Sequence, residues 1–110
     1  MKDNIFIVFC TIGDYNQANY LSKILIQKKL AACCTAINGA TSIYEWKGTI
    51  EESKETLLII KTTQRKYQQL EKEIKMVHNY SVPEIIAIKV ETGSQAYIDW
   101  ILSSTESVGK

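Results

Sequence analysis

An α+β sandwich is the fold class that this sequence predicts, and three observations indicate it. Apolar runs rich in β-branched residues alternate with stretches whose apolar residues recur at helical spacing. Glycine, asparagine and proline interrupt the chain between these stretches. The elements follow the order strand, helix, strand, strand, helix, strand and a short closing helix. This β-α-β-β-α-β order is that of the ferredoxin-like sandwich.

The first strand and helix are predicted from one apolar run and one cap. Ile5 to Cys10 is an unbroken apolar run, which indicates a strand that is buried on both faces. Asp14 followed by Gln17 resembles a capping pair, and the apolar residues that follow it keep helical spacing. We therefore expect a helix from this cap to about Lys29.

A long β2-β3 hairpin is predicted in the middle of the chain. The sequence is strand-like from Ala31 to Trp46, with a break at Asn38-Gly39. Lys47-Gly48 suits a turn because glycine adopts positive φ without steric cost. The returning strand contains the apolar run Thr56–Ile60. The two strands should pair antiparallel.

The second half predicts a helix, a strand and the closing helix. Thr63 can cap a helix that ends near His78. Pro83 favours an extended conformation before it and so introduces a strand from Glu84 to Val90. Ser94 can cap the short C-terminal helix.

Composition limits the possible partners. With 45% apolar and 23% charged residues, the chain has the composition of one globular domain, which we place at residues 1–110. The formal net charge is only +1, whereas binding to phosphate backbones or anionic membranes uses a strongly basic surface. We therefore expect no nucleic-acid partner and no membrane partner.

Two features predict a cytoplasmic protein. The first apolar run is shorter than the core of a signal peptide and has no small-residue cleavage site after it, so the mature protein is expected to begin at or near Met1. Three cysteines cannot all pair, and the neighbours Cys33 and Cys34 would point to opposite faces of a strand. We expect reduced thiols.

The strand pattern also predicts a homo-oligomer. In a ferredoxin-like sandwich both main helices pack on one face of the sheet, yet the first, third and fourth strands are apolar on both faces. An uncovered apolar face of several hundred Å² would be unfavourable by roughly ten kcal/mol at ~25 cal/mol per Å². A second subunit is expected to cover it; the alternative is that the closing helix covers it alone.

Chain direction brings the residues that could carry chemistry to one pole of the sandwich. The expected group is Cys10, Thr11, Asp14, Trp46, His78, Tyr80 and Glu84. Cys33 and Cys34 belong at the opposite pole.

Within this group, Cys10 and His78 are candidate ligands for copper or zinc, which thiolate and imidazole suit. A third ligand could come from Glu84, from water or from a neighbouring subunit. In the alternative interpretation, Cys10 is a small buried hydrophobe and His78 is a cation at a helix C-terminus.

Other chemistries have less support in the sequence. A Cys10–His78 nucleophile would need an orienting acid and an oxyanion hole, and no motif supplies either. We therefore expect no enzyme activity. Tyr44 and Trp46 could form a ligand-stacking wall, but we expect them to pack at a subunit interface because they lie on the hairpin.

Five motifs in order resemble the CutA divalent-cation tolerance family, over about Ile5 to Thr105. The motifs are Leu30-Ala31-Ala32-Cys33, Ser42-x-Tyr44-x-Trp46-x-Gly48, Glu55 with Leu58-Ile59-Ile60-Lys61-Thr62, His78-x-Tyr80-x-x-Pro83-Glu84-Ile85, and Tyr97-x-x-Trp100-Ile101. The resemblance implies a ferredoxin-like fold, a tight homotrimer built from the long hairpins, a cytoplasmic location and a role in tolerance to copper and other divalent metals.

The resemblance also bears on the metal ligands. Copper-binding bacterial members of the family have a cysteine at the end of the first strand, which corresponds to Cys10. They also have a His-His pair before Pro-Tyr, and here only the second histidine is present, as His78. Val77 and Asn79 replace the first histidine and the proline, and Ser81 stands where the family often has an acidic or amide residue.

The resulting prediction is a CutA-like homotrimer that binds copper or a similar metal ion through Cys10 and His78 in response to metal stress. The alternative is a signalling or scaffold trimer that binds a small anion or a partner protein in clefts between subunits. The residues expected in such a cleft are Glu55, Lys61, Tyr80 and Glu84, with Tyr44 and Trp46 at the interface.

Overall fold

Residues 3–106 are described by the structure, a computed structural model of the chain. The elements are β1 (Ile5–Ile12), α1 (Tyr15–Gln27), β2 (Cys33–Trp46), β3 (Thr49–Thr63), α2 (Gln64–Val77), β4 (Ile85–Lys89) and α3 (Gln95–Ser104). The predicted order of elements is confirmed. No helix in this part of the chain is long and apolar enough to cross a bilayer.

The four strands form one sheet in the order β2-β3-β1-β4. Every neighbouring pair is antiparallel. The two strands that begin and end the β-α-β-β-α-β unit, β1 and β4, therefore lie side by side. This arrangement confirms the predicted ferredoxin-like sandwich.

One face of the sheet carries α1 and α2 and contains the main core. Successive strand residues point to opposite faces, so alternate residues of β1 reach these helices. The buried cluster consists of Val8, Cys10, Ile12, Ala18, Leu21, Leu25, Leu30, Ala31, Leu58, Ile60, Leu70 and Ile74. This is the helix face.

The opposite face is apolar and mostly uncovered, and it is called the open face below. The residues of the open face follow from the cross-strand register and the alternation of side chains along each strand. They are Ile7, Phe9, Ile37, Leu57, Ile59, Ile86 and Ile88. Helix α3 covers only one end, where Ile101 packs with Ile5 and Ala32. Ile86 remains 57% exposed and Ile88 55% exposed. The closing helix alone therefore does not cover this face.

The hairpin formed by β2 and β3 extends beyond the rest of the sheet. Strand β1 pairs with β3 only from Thr56 to Thr63, so the segment Thr49–Glu55 has β2 as its sheet neighbour. The turn residues Lys47 and Gly48 both have positive φ, 53° and 82°, as a two-residue hairpin turn requires. The predicted turn is confirmed. A register shift between Ile37 and Ala40 marks a bulge in β2.

Two of the predicted helix caps differ from the structure. Asp14 does cap α1, by accepting a hydrogen bond from the Asn16 backbone N–H at 3.0 Å, but Gln17 donates to the Val77 carbonyl instead of completing the pair. Thr63 stands at the N-cap of α2 without a side-chain cap bond. It is also the last residue of β3, opposite Ile5, so the pleat directs its side chain towards the open face, away from α2.

The third cap is as predicted. The Ser94 hydroxyl accepts a hydrogen bond from the Tyr97 backbone N–H at 3.3 Å, and α3 begins at the next residue, Gln95.

Candidate functional site

A cleft with a volume of about 620 Å³ lies where the hairpin leaves the sheet. It is formed by the end of β1, by β2 and β3, and by the loop between α2 and β4. This hairpin cleft is lined by Thr11, Ser42, Ile43, Tyr44, Trp46, Glu55, Tyr80, Ser81, Val82 and Glu84.

A buried carboxylate forms the polar centre of the cleft. Glu55 is only 7% exposed. One of its carboxylate oxygens accepts a hydrogen bond from the Ser42 hydroxyl, and the other accepts one from the Tyr80 hydroxyl at 2.8 Å. Burial and the neighbouring Glu55 carboxylate raise the pKa of Tyr80 to about 12. The phenol therefore stays protonated and acts as a donor at neutral pH.

His78 attaches the loop behind the cleft to the end of β1. Its Nε2 lies 2.7 Å from the Thr11 carbonyl oxygen, and its Nδ1 lies 3.1 Å from the Tyr80 backbone nitrogen. Because a carbonyl only accepts and a backbone N–H only donates, Nε2 carries the proton and Nδ1 is the acceptor. Both ring nitrogens of this buried histidine are thus engaged within the protein.

The same contacts position Tyr80. Its ring lies 4.6 Å from the ring of His78, centroid to centroid. A Cβ atom added at Gly13 would lie 3.2 Å from the Tyr80 hydroxyl oxygen. A glycine at this position allows the phenol to approach the end of β1 and reach Glu55.

Cys10 lies on the other side of the sheet from the cleft. Its side chain is fully buried in the core of the helix face, and its Sγ lies 3.8 Å from the Thr11 carbonyl oxygen. Burial raises the pKa of the Cys10 thiol to about 12, and the carboxylates of Glu84 and Glu55 add to this shift. The thiol is therefore protonated at neutral pH.

These two side chains do not fit a copper ion in the single subunit. A cysteine binds a metal ion as the thiolate, and a histidine binds it through a free ring nitrogen. Cys10 is held as a thiol, and both nitrogens of His78 are already hydrogen-bonded. Within residues 3–106, no group of three or more His, Cys, Asp or Glu side chains is placed to hold a metal ion.

The structure separates the residues predicted at this pole into three places. Thr11, Trp46, Tyr80 and Glu84 line the cleft, as do Tyr44 and Glu55. Cys10 and His78 meet at the Thr11 carbonyl behind it. Asp14 caps α1.

Lys61 does not line the hairpin cleft of the single subunit, and its place in a cleft between subunits stays a prediction. It pairs across the sheet with Ile7 and Cys33, six positions along β3 from Glu55. At about 3.3 Å per residue this separates the two by roughly 20 Å, so Lys61 does not reach the site of its own subunit. Cys34, also near the start of β2, packs against the main core, and burial raises its pKa to about 11.

Ser42 was missed as a partner of Glu55 by sequence reasoning. Ala40, two residues before Ser42, pairs with Glu55 across the sheet, and this pairing depends on the register shift between Ile37 and Ala40. The Asn38-Gly39 break was a signal that a bulge could occur here, but the number of residues it skips cannot be read from the sequence.

Sequence comparison identifies close relatives. The profile of the CutA1 divalent ion tolerance protein family matches residues 6–104. The divalent-cation tolerance protein CutA of Thermus thermophilus is 37% identical over 99 residues, which cover 90% of this chain and 96% of that protein. Protein CutA of Mus musculus is 40% identical over 105 residues, which cover 96% of this chain and 59% of the mouse protein. The chain thus spans nearly all of the bacterial relative and about three fifths of the mammalian one.

Solved structures show the same fold. The crystal structure of CutA1 from Ehrlichia chaffeensis has a TM-score of 0.91 at 31% identity, over 97% of this chain and 100% of that one. CutA1 from Oryza sativa has a TM-score of 0.92 at 33% identity, over 96% of each chain. Agreement of sequence and fold over nearly the whole chain shows that it belongs to the CutA1 divalent ion tolerance protein family.

Proposed function

We propose that this protein acts in divalent-cation tolerance as a cytoplasmic, non-enzymatic homotrimer, with the hairpin cleft as its ligand site. The observation that carries the assembly is the open face of the sheet. Ile86 and Ile88 keep more than half of their surface exposed in the subunit. Exposed apolar patches of this kind mark interaction surfaces.

The hairpin supports the same assembly. Ile43 and Ile50 are 69% and 76% exposed, and Tyr44 and Trp46 are about half exposed. Apolar and aromatic side chains on a projecting arm are typical of subunit interfaces. Because Ile43, Tyr44 and Trp46 also line the hairpin cleft, this cleft would then lie at the boundary between two subunits. Strands β2 and β4 are also the two edges of the sheet, and an uncovered edge offers unpaired backbone groups to another chain. The number of three subunits follows from the family resemblance.

A role in tolerance is supported by the family and by the names of its bacterial members, which refer to divalent-cation tolerance. Copper binding through Cys10 and His78 stays a prediction. It would require the Cys10 thiol to lose its proton and His78 to release Thr11 or Tyr80. The hairpin cleft needs no such rearrangement, and it is therefore our preferred ligand site.

Native mass spectrometry with and without added copper tests this proposal. We expect a trimer, and its copper uptake distinguishes the two candidate ligand sites: a trimer that stays free of copper would favour the hairpin cleft. A trimer that binds about one copper per chain, lost in Cys10→Ser but kept in the matched variant Cys34→Ser, would establish the metal site instead. A monomer at micromolar concentration would overturn the assembly. Tolerance itself is measured by growth in raised copper of a bacterium that lacks its own CutA protein, with and without this chain.

A further inference from the structure

We propose that the hairpin cleft binds an organic cation, an ammonium or guanidinium group carried on a small apolar body, with Glu55 as its counter-ion. The inference rests on the proposed function, because it names the ligand class of the cleft proposed there as the ligand site.

The charge of the cleft is the first argument. Among residues 3–106, its lining includes the carboxylates of Glu55 and Glu84 and no lysine, arginine or histidine. In the described part of the chain, the ion pairs are Lys28–Glu73, Arg65–Asp3 and Lys75–Glu71, so neither cleft carboxylate has a cationic partner. Glu55 is more than nine-tenths buried, and among residues 3–106 the donors to its carboxylate are the neutral hydroxyls of Ser42 and Tyr80. Buried charges are normally paired, which a bound cation would achieve.

The walls of the cleft are the second, independent argument. Three aromatic side chains, Tyr44, Trp46 and Tyr80, line it together with Ile43 and Val82. The faces of aromatic rings attract cations, and cages of such rings are a recognised way to bind quaternary ammonium groups. The volume of about 620 Å³ lies in the range of small-molecule sites. The cleft therefore offers both an apolar surface and a negative centre.

Two other ligand classes fit this lining less well. A small anion would meet two carboxylates and no basic side chain from residues 3–106 of the same subunit, since Lys61 lies at the other end of β3. A divalent metal ion would find no cluster of three ionisable ligands among residues 3–106. The hydroxyls of Ser42 and Tyr80 already donate to Glu55, and aromatic rings would add no oxygen ligands.

The cation can have two sources, a free amine or a basic side chain of a second copy of this chain. Both present the same chemistry to Glu55, and one experiment separates them. The variant Trp100→Phe leaves Trp46 as the single tryptophan of the chain. Trp100 stacks on Tyr97 in α3, outside the cleft, so its replacement leaves the cleft lining unchanged.

The assembled protein with this substitution is titrated with choline, butylammonium and butyrate while Trp46 fluorescence is recorded. The uncharged isostere of choline, in which carbon replaces nitrogen, is the matched ligand control. Glu55→Gln removes the charge in the cleft. Glu52→Gln is the matched protein control, because it is exposed on the same strand and outside the cleft lining.

We expect saturable binding of at least one ammonium ligand. The isostere should bind more weakly than choline by on the order of tenfold or more, and Glu55→Gln should weaken ammonium binding by a similar factor. Glu52→Gln should bind as the parent does. The comparison of choline with its isostere needs no cleft variant, so it remains decisive if Glu55→Gln fails to fold.

The other outcomes are equally definite. If no ligand binds but Glu55→Gln, unlike Glu52→Gln, makes the oligomer dissociate at lower salt, the cation is a side chain of a second copy. Preferential binding of butyrate, or equal binding of choline and its isostere, would overturn the inference. It would also be overturned if no ligand binds and Glu55→Gln dissociates at the same salt concentration as Glu52→Gln. A trimer seen by native mass spectrometry without cation binding would refute only this inference, whereas a monomer would refute the proposed assembly.

Discussion

The substitution Ile86→Glu tests whether the open face is a subunit interface. Ile86 lies on the edge strand β4 opposite Phe9 and is 57% exposed in the subunit. Fully burying an isoleucine contributes about 1.5–3 kcal/mol, so covering the remaining surface contributes about 1–2 kcal/mol per subunit. Placing a glutamate in the same interface adds a desolvation cost of several kcal/mol. The assembled form should therefore lose at least about 3 kcal/mol per subunit, a hundredfold or more in affinity.

The assay is sedimentation velocity over a dilution series, combined with thermal unfolding at each concentration. An oligomer has a concentration-dependent melting temperature, and we expect Ile86→Glu to dissociate at concentrations where the parent is assembled. Met76→Glu is the matched control, because Met76 is 74% exposed on α2, on the other side of the sheet. The reasoning is refuted if the two variants assemble alike, or if the parent chain is a monomer.

Two further predictions concern the loop behind the cleft. His78→Phe keeps the ring volume but removes both hydrogen bonds, so the free energy of unfolding in urea should fall by about 1–3 kcal/mol. Asn79 is exposed, and the control Asn79→Ala should unfold with nearly the free energy of the parent. An unchanged urea midpoint in His78→Phe would show that these bonds contribute nothing to stability. Tyr80 should ionise at about pH 12 instead of 10. Because the unfolded phenol releases its proton first, stability should fall as pH rises through this window. Ultraviolet titration against Tyr80→Phe measures the shift, which Glu55→Gln should reduce; a Tyr80 that ionises near pH 10 would contradict the contact.

Local patterns predicted the elements of the fold well. The apolar run that begins at Ile5 is a strand in the structure, Lys47-Gly48 is the hairpin turn, and Ser94 caps α3. Each depends on residues close together in the chain, whose conformational preferences act over a few positions. Thr63 shows the limit, because a threonine in the right position is directed away from the helix end by the strand to which it also belongs.

The candidate site could be predicted only in part. Chain direction brought Thr11, Tyr80 and Glu84 to one pole, and the structure places all three in the cleft. The same reasoning could not show that Cys10 lies on the opposite face of the sheet, because a strand that is apolar on both faces gives no signal of which residues face the helices.

The sequence by itself determined the order of elements, the family and the presence of apolar residues on both faces of the sheet. Periodicity, turn residues and motif spacing are properties of neighbouring residues, so they can be read along the chain. Only the tertiary structure decided how Glu55 is surrounded, that His78 has no free nitrogen and that Lys61 is remote from the cleft. The bonds of Glu55 to Ser42 and Tyr80 join residues 13 and 25 positions apart. Their geometry depends on a bulge in β2 and on the path of the loop after α2, and such long-range placement results from the packing of the whole sheet.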